Sequence, residues 1–105
     1  MIIVFTTTPK AKEAESLAEK IVAEKLAACV QVLPAMKSFY FWESAVRKDT
    51  EHLLLIKTLD EKFDNLKAFI HSNHSYDVPE IIAVKAENVS ESYLGWLTEY
   101  LKSEN

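Results

Sequence analysis

Ser38-Phe39-Tyr40-Phe41-Trp42 is the stretch on which the fold turns. Four consecutive rings put aromatic side chains on both alternation phases of an extended segment, so large rings project from both sides of one strand. Further along, Leu53-Leu54-Leu55-Ile56-Lys57-Thr58 is again apolar on both phases as far as Ile56. Between the two, Glu43-Ser44 forms a turn-like break and Val46 starts the return. The pair reads as a long antiparallel hairpin. Its turn holds no Asn-Gly or Asp-Gly, so the local residues leave the register open.

Working outward, Ala28-Cys29-Val30-Gln31-Val32-Leu33 is another apolar run, ended or bulged at Pro34. Residues Ile2 to Thr8 are β-branched and aromatic until Pro9 stops them, which predicts a first strand. The period then changes. Ala14, Leu17, Ala18, Ile21, Val22, Lys25 and Leu26 recur at helical spacing, with Glu13, Glu15, Glu19, Lys20 and Glu24 on the outer side. A second helix is carried by Phe63, Leu66, Phe69 and Ile70, with Asp60 as its expected N-cap. After the polar break Ser72-Asn73-His74-Ser75-Tyr76-Asp77, Val78-Pro79-Glu80 leads into a strand over Ile81–Val84. Ser90 or Ser92 opens a last helix whose Val89, Tyr93, Leu97 and Tyr100 share a face. The order is βαββαβ plus a terminal helix, an α+β chain in which residues 1–105 form one domain.

Such an order predicts a four-stranded antiparallel sheet with helices on one face. The other face of the two-sided strands is then left without cover. A second copy of the chain is the commonest solution, so self-association is expected from the residues alone.

Composition excludes several classes of function. The formal net charge of −4, with Lys and Arg scattered among Glu and Asp, offers no basic stripe for a phosphate backbone, and no nucleic-acid partner is expected. A single glycine, Gly95, rules out both dinucleotide-binding and phosphate-loop glycine motifs. No apolar run approaches the ~18–20 residues that cross a bilayer, and no membrane partner is expected. Met1-Ile2-Ile3-Val4-Phe5 is apolar but lacks the basic flank and length of a signal peptide. The lone Cys29 fits a reducing compartment, so the expected location is cytoplasmic.

Several segments resemble the CutA, or divalent-cation tolerance, family. Glu24-Lys25-Leu26-Ala27-Ala28-Cys29-Val30-Gln31 is similar to its "EKLAACVN", Ser38 to Glu43 to its "SIYWWE", and Leu55-Ile56-Lys57-Thr58 to its "IIKT". His74 to Ala83 is similar to "HPYEVPEIIA", and Tyr93-Leu94-Gly95-Trp96-Leu97 to "YLxWL". They arrive in the family's order across nearly the whole chain. The resemblance implies a ferredoxin-like fold and a tight homotrimer, similar in architecture to the PII signal proteins, in which the long hairpins pair with neighbouring subunits. It also implies a tie to divalent metal tolerance, with copper or other divalent metal binding attributed to some members and acetylcholinesterase anchoring linked to vertebrate ones. No reaction is an established property of the family, so no enzyme is expected.

The chain departs from the family at Gln31, Ala35 and Ser44, where Asn, Gly and Gly are usual, and at Ser75, which replaces the Pro of "HPY". Thr6 stands where some members use Cys, and Asn73-His74 where they have a His pair. Of these three metal-ligand positions only His74 is kept. No cofactor is therefore obligatory, and Cu²⁺ or another divalent cation is the ligand to look for, at His74 with help from Cys29.

The residues offer further ligand types in His52, His71, Glu51, Asp77 and Glu80. His71 and His74 at i, i+3 can share one helix face, although the helix dipole alone favours histidine near a C-terminus. Cys29, inside an apolar run, also suits the role of a small buried hydrophobe. Asp77 and Glu80 are a carboxylate pair, but no nucleophile–base pair accompanies them. The remaining constellation is Trp42, Glu43, Lys57, Tyr76, Asp77, Glu80 and Trp96, expected to line a cleft or interface between subunits. As packing anchors and rim ion pairs the same residues would serve assembly alone. The alternative to a metal-tolerance protein is thus a PII-like signalling or scaffold trimer that takes a small molecule or protein there.

Overall fold

The β-branched run at the start forms strand β1 (Ile2–Thr8), and the apolar stripe after it forms helix α1 (Ala11–Ala23) in the computed structural model, which describes residues 1–104. Then come β2 (Cys29–Val32), β3 (Met36–Trp42), β4 (Ala45–Thr58), α2 (Phe63–Asn73), β5 (Ile82–Lys85) and α3 (Glu91–Lys102). The sheet runs β2-β4-β1-β5, antiparallel throughout, with β3 pairing the first half of β4. This is the ferredoxin-like arrangement that the element order and the resemblance imply. One face carries α1 and α2 over Ile2, Val4, Leu54 and Ile56, closed by Leu17, Ile21, Leu66 and Ile70, all buried.

The hairpin has the expected partners and one feature that sets its geometry. Val32 pairs with Leu54, but Met36 pairs with Glu51. Leu33, Pro34 and Ala35 thus oppose only His52 and Leu53, a bulge of one residue that reverses which parity faces which side. Cys29 and Gln31 share a face with Lys57 and Leu55, whereas beyond the bulge Ser38, Tyr40 and Trp42 share a face with Asp49, Arg47 and Ala45. Past this point the strands leave the body of the subunit as an arm. The long dimension is 45 Å against 27 and 23 Å, and the radius of gyration is 14.5 Å. A compact chain of this length has about 13 Å.

Rings that the arm carries are out in solvent: Phe39 is 67 % exposed, Phe41 71 % and Trp42 54 %. On the sheet's second face Ile3, Phe5, Leu53 and Leu55 are only half-buried, and Ile82 and Val84 are exposed. The sequence predicted helices on one face only. In fact α3 lays Leu97 and Leu101, with Tyr93 and Tyr100, over Met1, Ala28 and Leu59 at one end of the second face. Its apolar positions at i, i+4 need that cover. The rest of the face stays uncovered.

Two terminations depart from the ordinary residue choice. α1 ends in a Schellman motif, with Lys25 N–H bonding the Val22 carbonyl at 3.1 Å and Leu26 N–H that of Ile21 at 3.0 Å, and with Lys25 at φ 57° where glycine is usual. Its ammonium then donates to the Ser103 carbonyl at 3.0 Å and so ties α1 to the end of α3. At the arm tip Glu43 and Ser44 both have positive φ, 49° and 62°, the geometry of a type I′ turn without its usual Asn-Gly. Each non-glycine residue there bears a steric cost of roughly 1–2 kcal/mol. The double variant Glu43→Asn, Ser44→Gly is therefore expected to gain about 1–2 kcal/mol. Urea unfolding at fixed protein concentration checks it, and an unchanged midpoint would show the tip to be unstrained.

Asp60 does not cap α2. A single 3₁₀ turn over Asp60–Lys62 precedes the helix, and Lys62 occupies the cap position with no side-chain cap bond. The Asp60 carboxylate is taken instead by Lys85 Nζ at 2.7 Å and by the Met1 amine at 3.1 Å. The Lys85 hydrogen bond first, and the amine second, draw its carboxyl from 3.8 down to about 2. As acid is added the unfolded chain therefore takes up this proton before the folded one. The contribution is complete above about pH 4 and is lost as pH falls through about 2. Thermal melts from pH 6 to 2 should show a drop in that window which Asp60→Asn flattens. The carboxylate is half-exposed, so the drop is small and shrinks with added salt.

Candidate functional site

Between the arm and the loop after α2 lies a cleft of about 700 Å³. Tyr40, Trp42 and Glu51 form one wall; Tyr76, Asp77 and Glu80 form the other. The bulge makes the first wall, because it turns the even-numbered residues of β3 to the side that carries Glu51 and Asp49.

The second wall is held by buried polar bonds. His74, at the end of α2, has a fully buried side chain. Its Nδ1 accepts the Tyr76 backbone N–H at 3.0 Å, so the ring proton sits on Nε2, which donates to the Thr7 carbonyl at 2.7 Å. Glu13 of α1 accepts both the amide and the hydroxyl of Ser75, at 3.0 and 2.8 Å. Tyr76 is thereby positioned so that its phenol donates to Glu51 Oε2 at 2.8 Å. Glu51 is only 8 % exposed. Across the cleft the Tyr40 phenol donates to the Asp49 carboxylate, a diagonal neighbour on β4. Burial and then the Glu51 carboxylate push the Tyr76 phenol far above its ordinary value. Tyr40 is raised chiefly by its bond to Asp49. Both phenols keep their protons, and the carboxylates act as acceptors.

Of the residues expected at a cleft, Trp42, Tyr76, Asp77 and Glu80 come together here. Glu43 instead sits at the arm tip, with Arg47 at 3.8 Å. Lys57 and Trp96 belong to the far end of the sheet: the Lys57 ammonium lies 5.6 Å from the Tyr93 ring centre, and Trp96 packs on the same ring at 5.5 Å.

The metal candidates are placed apart. Cys29 pairs with Lys57, level with Ile3, beside Tyr93, whose phenol is raised by burial and by the thiol. His74 touches Thr7, four residues further along β1. The two attachment points are separated by about 13 Å along the strands and about 10 Å across them. Asn73 Nδ2 is bonded to the Phe69 carbonyl at 2.9 Å, and Thr6 Oγ1 is buried without a partner among the described residues. A hydroxyl is a poor ligand for a soft transition metal, both His74 nitrogens are engaged, and among the described residues no three His, Cys, Asp or Glu side chains cluster for a metal. Within one subunit these residues do not make a ready metal centre.

Three members of the site were not read from the sequence as part of it. Glu51 was a candidate metal ligand only, yet it falls on the same phase as Leu53 and Leu55, and a carboxylate in an apolar phase is a usable signal. Tyr40 was read for its ring and not for its phenol. Glu13 stood on the outer face of a helix, and nothing in its neighbourhood marks the contact with Ser75.

Comparison with known proteins agrees with this architecture. Residues 2–100 match the family described as CutA1 divalent ion tolerance protein. The chain is 40 % identical over 97 residues to the divalent-cation tolerance protein CutA of Thermus thermophilus, covering 92 % of this chain and 94 % of that one. It is 45 % identical over 96 residues to the chloroplastic CutA of Arabidopsis thaliana, covering 91 % of this chain and 53 % of the relative, so it spans about half the length of that protein. The Archaeoglobus fulgidus structure described as the periplasmic divalent cation tolerance protein CutA superposes with a TM-score of 0.94 at 34 % identity, over 97 % of this chain and all of that one.

Proposed function

Because this chain belongs to the CutA1 divalent ion tolerance family, we propose that it works as a cytoplasmic, non-enzymatic homotrimer in divalent metal tolerance or homeostasis. One observation carries the assembly: an arm whose rings at Phe39, Phe41 and Trp42 are exposed, next to a half-covered sheet face. Burying such a surface is worth about 25 cal/mol per Å² and favours association of copies. The number three is the stoichiometry that the family resemblance implies. Contact with Cu²⁺ or another divalent cation is weak and centred on His74, whose Nδ1 must release the Tyr76 amide to bind a metal.

The test combines native mass spectrometry with calorimetric titration of Cu²⁺ and Zn²⁺ into the wild type and His74→Ala. A species at three times the 12.0 kDa subunit mass is expected, with a weak metal heat that the substitution removes. A lone subunit defeats the assembly, and a metal heat indifferent to His74→Ala defeats the metal contact.

The cleft favours a second reading, a PII-like signalling or scaffold trimer that takes a small molecule or protein partner beside Trp42, Tyr76, Asp77 and Glu80. Its size falls within the ~300–1,000 Å³ of small-ligand sites.

A further inference from the structure

We propose that the cleft between the arm and the loop after α2 binds an organic ammonium ion. The proposal rests on the second reading above, that the cleft is a ligand site, and adds the charge and chemistry of the ligand. Glu51, Asp77 and Glu80 line it, and no Lys, Arg or His does. A nucleotide, a phosphate or a carboxylic acid would meet like charge on these walls, and the nearby Arg47 is engaged by the Trp42 carbonyl and Glu43 at the arm tip. The carboxylates are also spread: no group of three metal-ligating side chains exists among the described residues. That arrangement suits a large diffuse cation better than a compact metal ion, which needs several oxygens at 2–2.6 Å.

The rings supply the rest. Tyr40 and Tyr76 line the same space, and aromatic faces attract ammonium groups within about 6 Å. Each phenol donates its proton to a carboxylate, Tyr40 to Asp49 and Tyr76 to Glu51. Such a bond places partial negative charge on the phenol and makes its ring face a better cation acceptor. Glu51 Oε2 takes the Tyr76 phenol, and Oε1 accepts no hydrogen bond among the described residues. A buried carboxylate with one free oxygen beside aromatic faces is the recognition chemistry of an ammonium.

The experiment is calorimetric titration of the assembled protein with tetramethylammonium chloride, using sodium chloride at equal ionic strength as the control. tert-Butanol serves as a neutral probe of similar shape, and adenosine monophosphate as an anion. Saturable tetramethylammonium binding is expected, at least ten-fold tighter than tert-butanol. It should be weakened at least ten-fold by Glu51→Gln and by Tyr40→Leu, with light scattering and circular dichroism confirming that both variants assemble and fold. Glu51→Gln keeps an acceptor for Tyr76, so it removes charge without removing that bond. Heat no different from sodium chloride, or equal binding of the neutral probe, overturns the proposal. Adenosine monophosphate binding that the two variants weaken would overturn the cation while leaving the cleft as a site. Tetramethylammonium binding indifferent to both variants would overturn the cleft itself.

Discussion

The Trp42→Ala variant is expected to scatter light as a smaller particle than the wild type at micromolar concentration. Trp42 is 54 % exposed in the isolated subunit, near the tip of an arm that lies outside the subunit's own core. Its removal leaves that core intact, because the two clusters of buried residues that hold the subunit together do not include it. What is lost is ring area available to a neighbouring copy. A tryptophan offers up to about 250 Å², and covering the exposed half is worth about 2–3 kcal/mol at each contact. Tryptophans buried at interfaces are frequent hot spots of this size. Such a loss weakens each contact by roughly thirty- to a hundred-and-fifty-fold. Sedimentation over a hundred-fold range of concentration gives the same quantity independently. An unchanged particle mass throughout that range would remove Trp42 from the interface.

Leu54→Ala is expected to cost the folded subunit about 3–4 kcal/mol, within the usual range for a buried leucine truncated to alanine. Leu54 is fully buried on β4, between Thr6 of β1 and Val32 of β2, beneath α1 and α2. The two flanking strands hold its backbone in place, so the site cannot collapse and a cavity remains. Its neighbour Leu53 makes the contrast. It points to the opposite face, pairs with Thr7 and is only half-buried. Leu53→Ala should therefore cost less than half as much in the dissociated subunit, with its larger effect on assembly. Urea unfolding of both variants at low and high protein concentration separates the two. Equal losses at low concentration would mean that the second face is as well covered as the first.

Residues close together in the chain settled much of this protein. Helical spacing marked α1, α2 and α3, a β-branched run marked β1, and apolar runs marked β2 and β4. Rings on both phases of Phe39-Tyr40-Phe41-Trp42 announced a surface that this chain leaves open. These signals are legible because each depends on side chains a few positions apart on one regular element. The Asp60 cap was misread for the same reason: a local motif favoured it, but Lys85, twenty-five residues away, claimed the carboxylate.

The site depended on contacts that no local pattern carries. His74 bonds the Thr7 carbonyl across 67 residues, Ser75 bonds Glu13 across 62, and Tyr76 reaches Glu51 across 25. None of these can be drawn until the sheet order places β1 beside β4 and the bulge at Leu33–Ala35 turns Tyr40 and Trp42 toward the loop after α2. Sequence alone determined that the chain is a βαββαβ domain with too much apolar strand surface for its own helices. Only the tertiary structure decided that its acidic and aromatic side chains converge on one cleft while Cys29 and His74 stay at opposite ends of the sheet. Strand order and a one-residue shift of register set those distances, and both are properties of the assembled sheet.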